Sequence, residues 1–150
     1  MPSFKFNKAG IKKMCDYIQK DVDRVLNTTI ATQVKDEIVM SVHEIIYSPN
    51  MPKPRQYVRR GENGGLRDKD NMEHEVKNGV LKVINVTEPK KQKEKLRDLA
   101  KNIEYGYWRK DEWWNKPRPF MQNAIDSLNS DSVVADLMKE SLQKYGYKTE

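Results

Sequence analysis

Apolar residues recur at helical spacing over the first third of the chain. Residues from about 7 to 27 make one stripe and residues from about 30 to 47 a second. Asn7 is placed to cap the first helix, and Asn27 to Thr29 separate the stripes, which leaves open one long helix or two helices joined by a kink. The stripes comprise Ile11, Met14, Cys15, Ile18, Val22, Val25 and Leu26, then Ile30, Val34, Ile38, Val42, Ile45 and Ile46.

The second stripe is rich in β-branched residues, which are poor intrinsic helix formers. Tertiary burial must stabilise such a helix, so we expect it to pack against a sheet. That sheet is predicted from Met72 to Val76 and from Val80 to Val86, joined by Asn78-Gly79, a strong hairpin signal because both residues tolerate positive φ. The second strand has apolar residues on both faces, which favours a central or largely covered strand.

Two short helices are predicted at the carboxyl end. Pro119 suits the first turn of a helix that runs through Leu128. Ser130 or Asp131 is expected to cap a last helix, which Gly146 ends. Because the strands cluster instead of alternating with helices, the fold class is α+β: a long N-terminal helix or helix pair packed on a small antiparallel sheet, then two short helices.

The length and charge of the chain indicate its domain organisation and its basic segments. The chain has 150 residues, which fits a single domain over residues 1–150, with a tail at 146–150 that we expect to be flexible. The net charge of +6 attracts polyanions, and basic loops are expected at about 49–70 and 88–102. From the second loop the candidates for facing DNA are Lys90, Lys91, Lys93 and Lys95.

No residue pattern indicates an enzyme, a metal or a cofactor. Cys15 is the one cysteine, which rules out an intrachain disulfide, and its apolar neighbours predict a buried, inert thiol. His43 and His74 lack zinc-ligand spacing, and the glycines of GENGG at 61–65 lack the lysine of a phosphate loop. The acid pairs Asp68 with Asp70 and Glu73 with Glu75 are interleaved with basic residues, which is typical of balanced surface charge.

No apolar run approaches the roughly 20 residues of a membrane span, and the first residues do not form a signal peptide. The expectation is therefore a protein made in a cytoplasm that has no membrane partner.

The sequence IEYG at 103–106, followed after a loop by PRPFM at 117–121, resembles small neck or tail-completion proteins of siphophages. Upstream GGLRDKDNMEHEV, the strand VLKVINV and the N-terminal helices are similar to that family too, so the likeness extends over roughly residues 7–145. Many relatives have a shorter or glycine-rich loop where this chain has YWRKDEWWNK, so the partner contacted there stays open.

The resemblance implies a virion protein, made in the bacterial host, that joins the head connector to the tail terminator or tail tube. It implies self-association in a ring with double-stranded DNA passing transiently through the lumen. The alternative interpretation is a non-enzymatic nucleic-acid-binding module without sequence readout, since basic segments and aromatic residues alternate. Candidate interface residues are Trp108, Trp113, Trp114, Tyr57, Arg59 and Arg60.

The motif also has a physical interpretation. Pro117 and Pro119 hold Arg118 extended, because each proline fixes its own φ and the residue before a proline avoids helix. Phe120 then enters the core, and Tyr105-Gly106 are expected to end a strand beside the turn. A structural corner is favoured over direct partner contact by Arg118. The predicted corner residues are Glu104, Tyr105, Gly106, Pro117, Arg118, Pro119 and Phe120.

Overall fold

A computed structural model describes residues 7–47, 63–88, 99–106, 117–130 and 132–149. The N-terminal stripes form one continuous helical rod: α1 over Lys8–Val25, a π-helical turn over Leu26–Ile30, and α2 over Ala31–Ile45. The predicted cap at Asn7 is confirmed, since its side chain accepts a hydrogen bond of 2.8 Å from the backbone N–H of Gly10. The sequence left open one long helix or two helices joined by a kink. The structure shows one continuous helical rod from Lys8 to Ile45.

The π-helical turn coincides with the polar break between the two stripes. The hydroxyl of Thr28 donates to the carbonyl of Arg24 at 2.9 Å, and the hydroxyl of Thr32 donates to the carbonyl of Thr28 at 2.8 Å. Such bonds back to the preceding turn compete with the regular backbone ladder. The break therefore widens the helix locally and does not end it.

The hairpin is confirmed. Strands β1, Met72–Lys77, and β2, Val80–Asn85, pair antiparallel, with Met72 opposite Asn85 and Lys77 opposite Val80. Asn78 and Gly79 both have positive φ, 53° and 76°, as a two-residue type I′ turn requires. One face of the hairpin, which includes Met72 and Asn85, turns towards the core.

The prediction that β2 is a central or largely covered strand is wrong in the described part of the chain, where β2 pairs with β1 alone. Its side chains alternate between half-buried and exposed, and Val80, Ile84 and Val86 lie on the open side. The presence of apolar residues on both faces of this strand therefore does not mean that both faces are covered.

Three further helices complete the described chain: α3, Leu99–Tyr105; α4, Phe120–Ser130; and α5, Val133–Lys144. The residue before α5 is Ser132, so the predicted cap at Ser130 is wrong by two positions, and Asp131 lies outside the described residues. The hydroxyl of Ser132 donates to Asp136 at 2.7 Å. Gly146, with φ of 86°, follows the last helix as predicted.

Two apolar clusters make the core. The larger joins the second half of α2 to α3, α4, Leu66 and Met72, and Phe120 is its largest fully buried side chain. The smaller joins the end of α1 and the π-helical turn to the hairpin and α5. The predicted α+β class is confirmed. The β-branched stripe of α2 is covered by α4 as well as by the sheet, and Asn123 on α4 donates to buried Ser41 on α2 at 3.1 Å.

The first three turns of α1 extend beyond both clusters. Ile11, Met14 and Ile18 are 49%, 39% and 38% exposed, and the Cys15 thiol is exposed as well. The prediction of a buried thiol is wrong, because the stripe that surrounds Cys15 is not covered by the rest of the domain. None of the described helices is both long enough and apolar enough to cross a membrane.

Candidate interface at the helix corner

The chain closes on itself between α3 and α4. The backbone N–H of Arg118 donates to the carbonyl of Ile103 at 2.9 Å, which brings the two ends of the intervening segment together. That segment includes Trp108, Trp113 and Trp114, all three of which lie outside the described residues. The two parts of the sequence motif therefore meet in space.

Helix α3 continues to Tyr105, so the prediction that a strand ends at Tyr105-Gly106 is wrong. Ala100 and Ile103, three residues apart, face the larger core cluster and are 6% and 7% exposed. This spacing fits one face of a helix, and the covering provided by α2 and α4 favours the helical form. Gly106 ends α3 with φ of +78°, a conformation that glycine adopts without the steric cost of a Cβ atom.

Glu104 holds the two helices of the corner together. The residue is 7% exposed, and its carboxylate accepts the backbone N–H of Met121 at 2.8 Å and that of Gln122 at 3.0 Å, one on each oxygen. These N–H groups lie in the first turn of α4 and have no partner inside that helix. A carboxylate there is favoured twice, by charge-assisted hydrogen bonds and by the positive end of the helix dipole.

The prolines complete the start of α4. Pro119 has no N–H to satisfy, the N–H of Phe120 donates to the carbonyl of Arg118 at 2.8 Å, and the N–H of Asn123 donates to the carbonyl of Pro119 at 2.9 Å. Phe120 is fully buried, as predicted. Together with Glu104, these bonds give every backbone N–H in the first turn of α4 a partner.

Tyr105 lies on the opposite side of the corner from the core. Its side chain is 73% exposed, although its neighbours Ile103 and Glu104 are buried. Tyr105 therefore belongs to the predicted corner only through its backbone, as the last residue of α3. Its ring is a surface aromatic at the point where the chain leaves α3 towards the tryptophan-bearing segment.

A second polar cluster lies at the end of the hairpin that is opposite the Asn78-Gly79 turn. The carboxylate of Asp68 accepts the N–H groups of Gly64 at 2.6 Å and Asp70 at 3.0 Å, which fixes the turn before β1. Buried Asn85 donates to the carbonyl of Leu66 at 2.9 Å, and buried Thr87 donates to that of Gly65 at 3.2 Å. Sequence reasoning took the glycines here for a loop or tight turn and missed Asn85 and Thr87, since a polar residue at a strand end carries no signal of burial.

The acid pairs and the histidines do not come together in one site. Asp68 caps its turn, Glu75 pairs with Lys82 across the hairpin at 3.6 Å, and His43 is exposed. His74 lies beside an open cleft of about 620 Å³ at the π-helical turn, where its Nε2 donates to the carbonyl of Asn27 at 3.1 Å. Across the described ranges, no group of three or more His, Cys, Asp or Glu side chains is arranged to hold a metal ion.

Several predicted site residues lie outside the described ranges, so the structure places none of them. They are the interface candidates Tyr57, Arg59, Arg60, Trp108, Trp113 and Trp114, and the DNA-facing candidates Lys90, Lys91, Lys93 and Lys95.

Fold and corner together define a small α+β protein in which a buried carboxylate joins two helices at the base of an aromatic segment. The YomN family model matches residues 10–144, and the chain belongs to that family. Family membership supports a protein associated with bacteriophages. No curated protein and no solved structure matches the chain.

Proposed function

We propose that the protein is a structural subunit of a phage neck, which joins the head connector to the tail tube as part of a ring around the DNA channel. Three observations support this proposal: the phage association of the family, the likeness of IEYG and PRPFM to neck proteins, and a corner whose polar groups serve structure.

The observation that carries the proposal is the fixed base of the tryptophan-bearing segment. The Ile103–Arg118 hydrogen bond closes the segment, and the two bonds from Glu104 lock α3 to α4 beneath it. A closed and rigid base reduces the conformational entropy that a loop loses when it docks. The sequence of this segment concentrates all three tryptophans of the chain, and aromatic residues are enriched at the centres of interfaces.

Tyr105 is a second candidate contact. Its exposed ring directly precedes the tryptophan-bearing segment in the chain, so the proposal includes Tyr105 in the surface that a neighbouring subunit contacts. Tyrosine suits such a position because its ring buries well while its hydroxyl remains able to hydrogen bond.

The net charge of +6 fits a subunit beside DNA. A channel wall must let DNA pass, so the interaction needed is weak and independent of sequence. That requirement agrees with a modest excess of lysine and arginine.

The test is complementation of a phage that lacks this gene. Trp113→Ala with Trp114→Ala, and separately Tyr105→Ala, should give folded protein but heads and tails that fail to join, as counted by electron microscopy and plaque titre. Tyr145→Ala is the matched control, since it removes a partly exposed aromatic ring that lies against Arg24 of α1 and not at the corner, and it should support joining. Normal titres from the tryptophan variant would contradict the proposal.

The alternative nucleic-acid-binding module makes a different prediction. It requires the isolated protein to bind duplex DNA with an affinity that falls steeply as salt rises. Replacing Lys90, Lys91, Lys93 and Lys95 with glutamine should abolish such binding under the alternative. Under the neck proposal this variant should leave head–tail joining intact.

A further inference from the structure

The two apolar stripes of the helical rod do not continue one another in a regular helix. The stripe of α1 ends at Val25, and its spacing of four and three residues would continue to Thr29 and Thr32, which are polar. The stripe of α2 begins instead at Ile30, five residues after Val25. Since each residue turns an α-helix by about 100°, five residues would set these two side chains about 140° apart. Leu26 is four residues before Ile30, but it lies about 100° from Val25, at the edge of the first stripe.

The π-helical turn removes this mismatch. The N–H of Ala31 donates to the carbonyl of Leu26, five residues earlier, so the turn contains one residue more than an α-helical turn. The step from Val25 to Ile30 then has the phase of a four-residue step, about 40°. Val25 and Ile30 are 1% and 3% exposed, and both belong to the smaller apolar cluster. The extra residue is therefore accommodated while both stripes face the core.

A side chain of the hairpin contacts the wide turn. The Nε2 of His74 donates to the carbonyl of Asn27 at 3.1 Å, although the two residues are 47 positions apart in the chain. Within the rod, the carbonyl of Thr28 accepts the hydroxyl of Thr32 at 2.8 Å. Side-chain donors of this kind compete with the regular backbone hydrogen bonds of a helix. Of these two donors only His74 comes from outside the rod, so it fixes the wide turn to the hairpin.

We propose that the π-helical turn stores one residue in excess of a regular helix, and that His74 is the positioning residue that keeps it there. This device sets the rotation of α1 about its own axis. Val25 then faces the core, and the exposed Ile11 and Ile18 continue the same side of the helix beyond the domain. Conversion of the turn to regular α-helix would rotate α1 by about 100° relative to α2. The proposal concerns the isolated chain and does not rest on the proposed neck function.

The first experiment removes the stored residue. Deletion of Thr29 leaves four residues from Val25 to Ile30, so a regular α-helix keeps both stripes in phase. We expect a folded protein whose equilibrium constant for unfolding changes by less than about tenfold. Deletion of Lys35 is the matched control, because it removes one residue from the regular α2 and rotates all that precedes it by about 100° relative to Ile38.

The control deletion should raise the equilibrium constant for unfolding at least about a hundredfold, or prevent folding, because several buried side chains leave the core. Urea denaturation followed by circular dichroism measures both variants. Equal losses from the two deletions would overturn the proposal, since the turn would then hold no residue that the fold can spare.

NMR spectroscopy shows whether the turn itself has changed. The unmodified chain should give contacts between protons five residues apart at the π-helical turn, and so should Thr29→Ala, which keeps the number of residues. The deletion of Thr29 should give the four-residue contacts of an α-helix throughout the rod. A five-residue pattern that persists in the deletion variant would contradict the storage of a single residue.

The role of His74 is tested in both backgrounds. His74→Phe keeps a ring but removes the donor, and it should speed amide hydrogen exchange over Leu26–Ile30 at least about tenfold. His43→Phe is the matched control at an exposed position of α2 and should leave that exchange unchanged. In the Thr29 deletion no residue is stored, so His74→Phe should have little effect there. Equal acceleration in both backgrounds, or none in the unmodified chain, would overturn the assignment of His74.

Discussion

The corner between α3 and α4 and the first half of α1 have similar apolar patterns but differ in burial. Both carry apolar residues at helical spacing, yet Ile103 and Phe120 are buried whereas Ile11 and Ile18 are exposed. In the corner, a second helix and a buried carboxylate are available within the same chain. The first turns of α1 extend past everything the described domain offers. An amphipathic stripe thus indicates that a face suits burial, and it does not say which molecule covers that face.

The largest expected effect on stability comes from removing the buried aromatic ring of the corner. Phe120→Ala removes a fully buried ring from the larger cluster and should lower the free energy of unfolding by about 3–5 kcal/mol, measured by urea denaturation. Ile125→Ala is the control, because Ile125 lies on the same helix but is 48% exposed, and it should cost much less. Equal losses from the two variants would show that burial does not set the difference.

The next effect tests the capping carboxylate. Glu104→Gln keeps the shape of the side chain but replaces one accepting oxygen with an NH₂ group, so one backbone N–H of α4 loses its acceptor. We expect a loss of about 1–3 kcal/mol in the free energy of unfolding. Glu140→Gln makes the same change at an exposed site on α5 and should be nearly neutral. If both changes prove neutral, the hydrogen bonds of Glu104 do not stabilise the corner.

A smaller effect is expected where the carboxyl-terminal segment meets the covered half of α1. The hydroxyl of Tyr147 donates to Asp21 at 2.8 Å, and this bond, followed by burial and the Asp21 charge, raises the pKa of Tyr147 above its ordinary value of 10.0. Tyr147→Phe should lower the free energy of unfolding by about 0.5–1.5 kcal/mol at neutral pH.

The pH dependence of that contact has a definite sign. A raised phenol pKa means that folding favours the protonated form, so the stabilisation is fully present below pH 10 and is lost as pH rises through the folded-state pKa. Urea titrations of the unmodified chain and Tyr147→Phe should therefore converge under alkaline conditions, and a constant difference would contradict this assignment.

The smallest effect is predicted for the bare end of α1. In dilute solution, Ile18→Ala should change the free energy of unfolding by no more than about 0.5 kcal/mol, as is usual for substitutions at exposed positions. Amide hydrogen exchange should be fast in the first turns of α1 and slow in α2, since local stability follows packing. A loss above about 1 kcal/mol in a demonstrated monomer would show that this stretch is covered within the chain.

Local chemistry made much of the fold predictable. The Asn7 cap, the Asn78-Gly79 turn and the position of Gly146 each depend on a residue whose conformational preference acts over a few neighbours. The corner was predictable as a meeting of two motif halves, because the prolines and Phe120 restrict the chain there. The helical state of the residues before Gly106 was not, since a seven-residue element takes its conformation from what it packs against.

By itself, the sequence determined the N-terminal helical region, the hairpin and its turn, the Asn7 cap, the two C-terminal helices and the α+β class. Each of these follows from dihedral preferences and from apolar spacing along one stretch of chain. Only the tertiary structure decided that Glu104 is buried beneath the start of α4, that Tyr105 faces outward, that Asn85 and Thr87 are enclosed, and that Cys15 is exposed. Burial depends on which segments, distant in the sequence, pack against a given face. The apolar spacing along one segment does not say which segments those are.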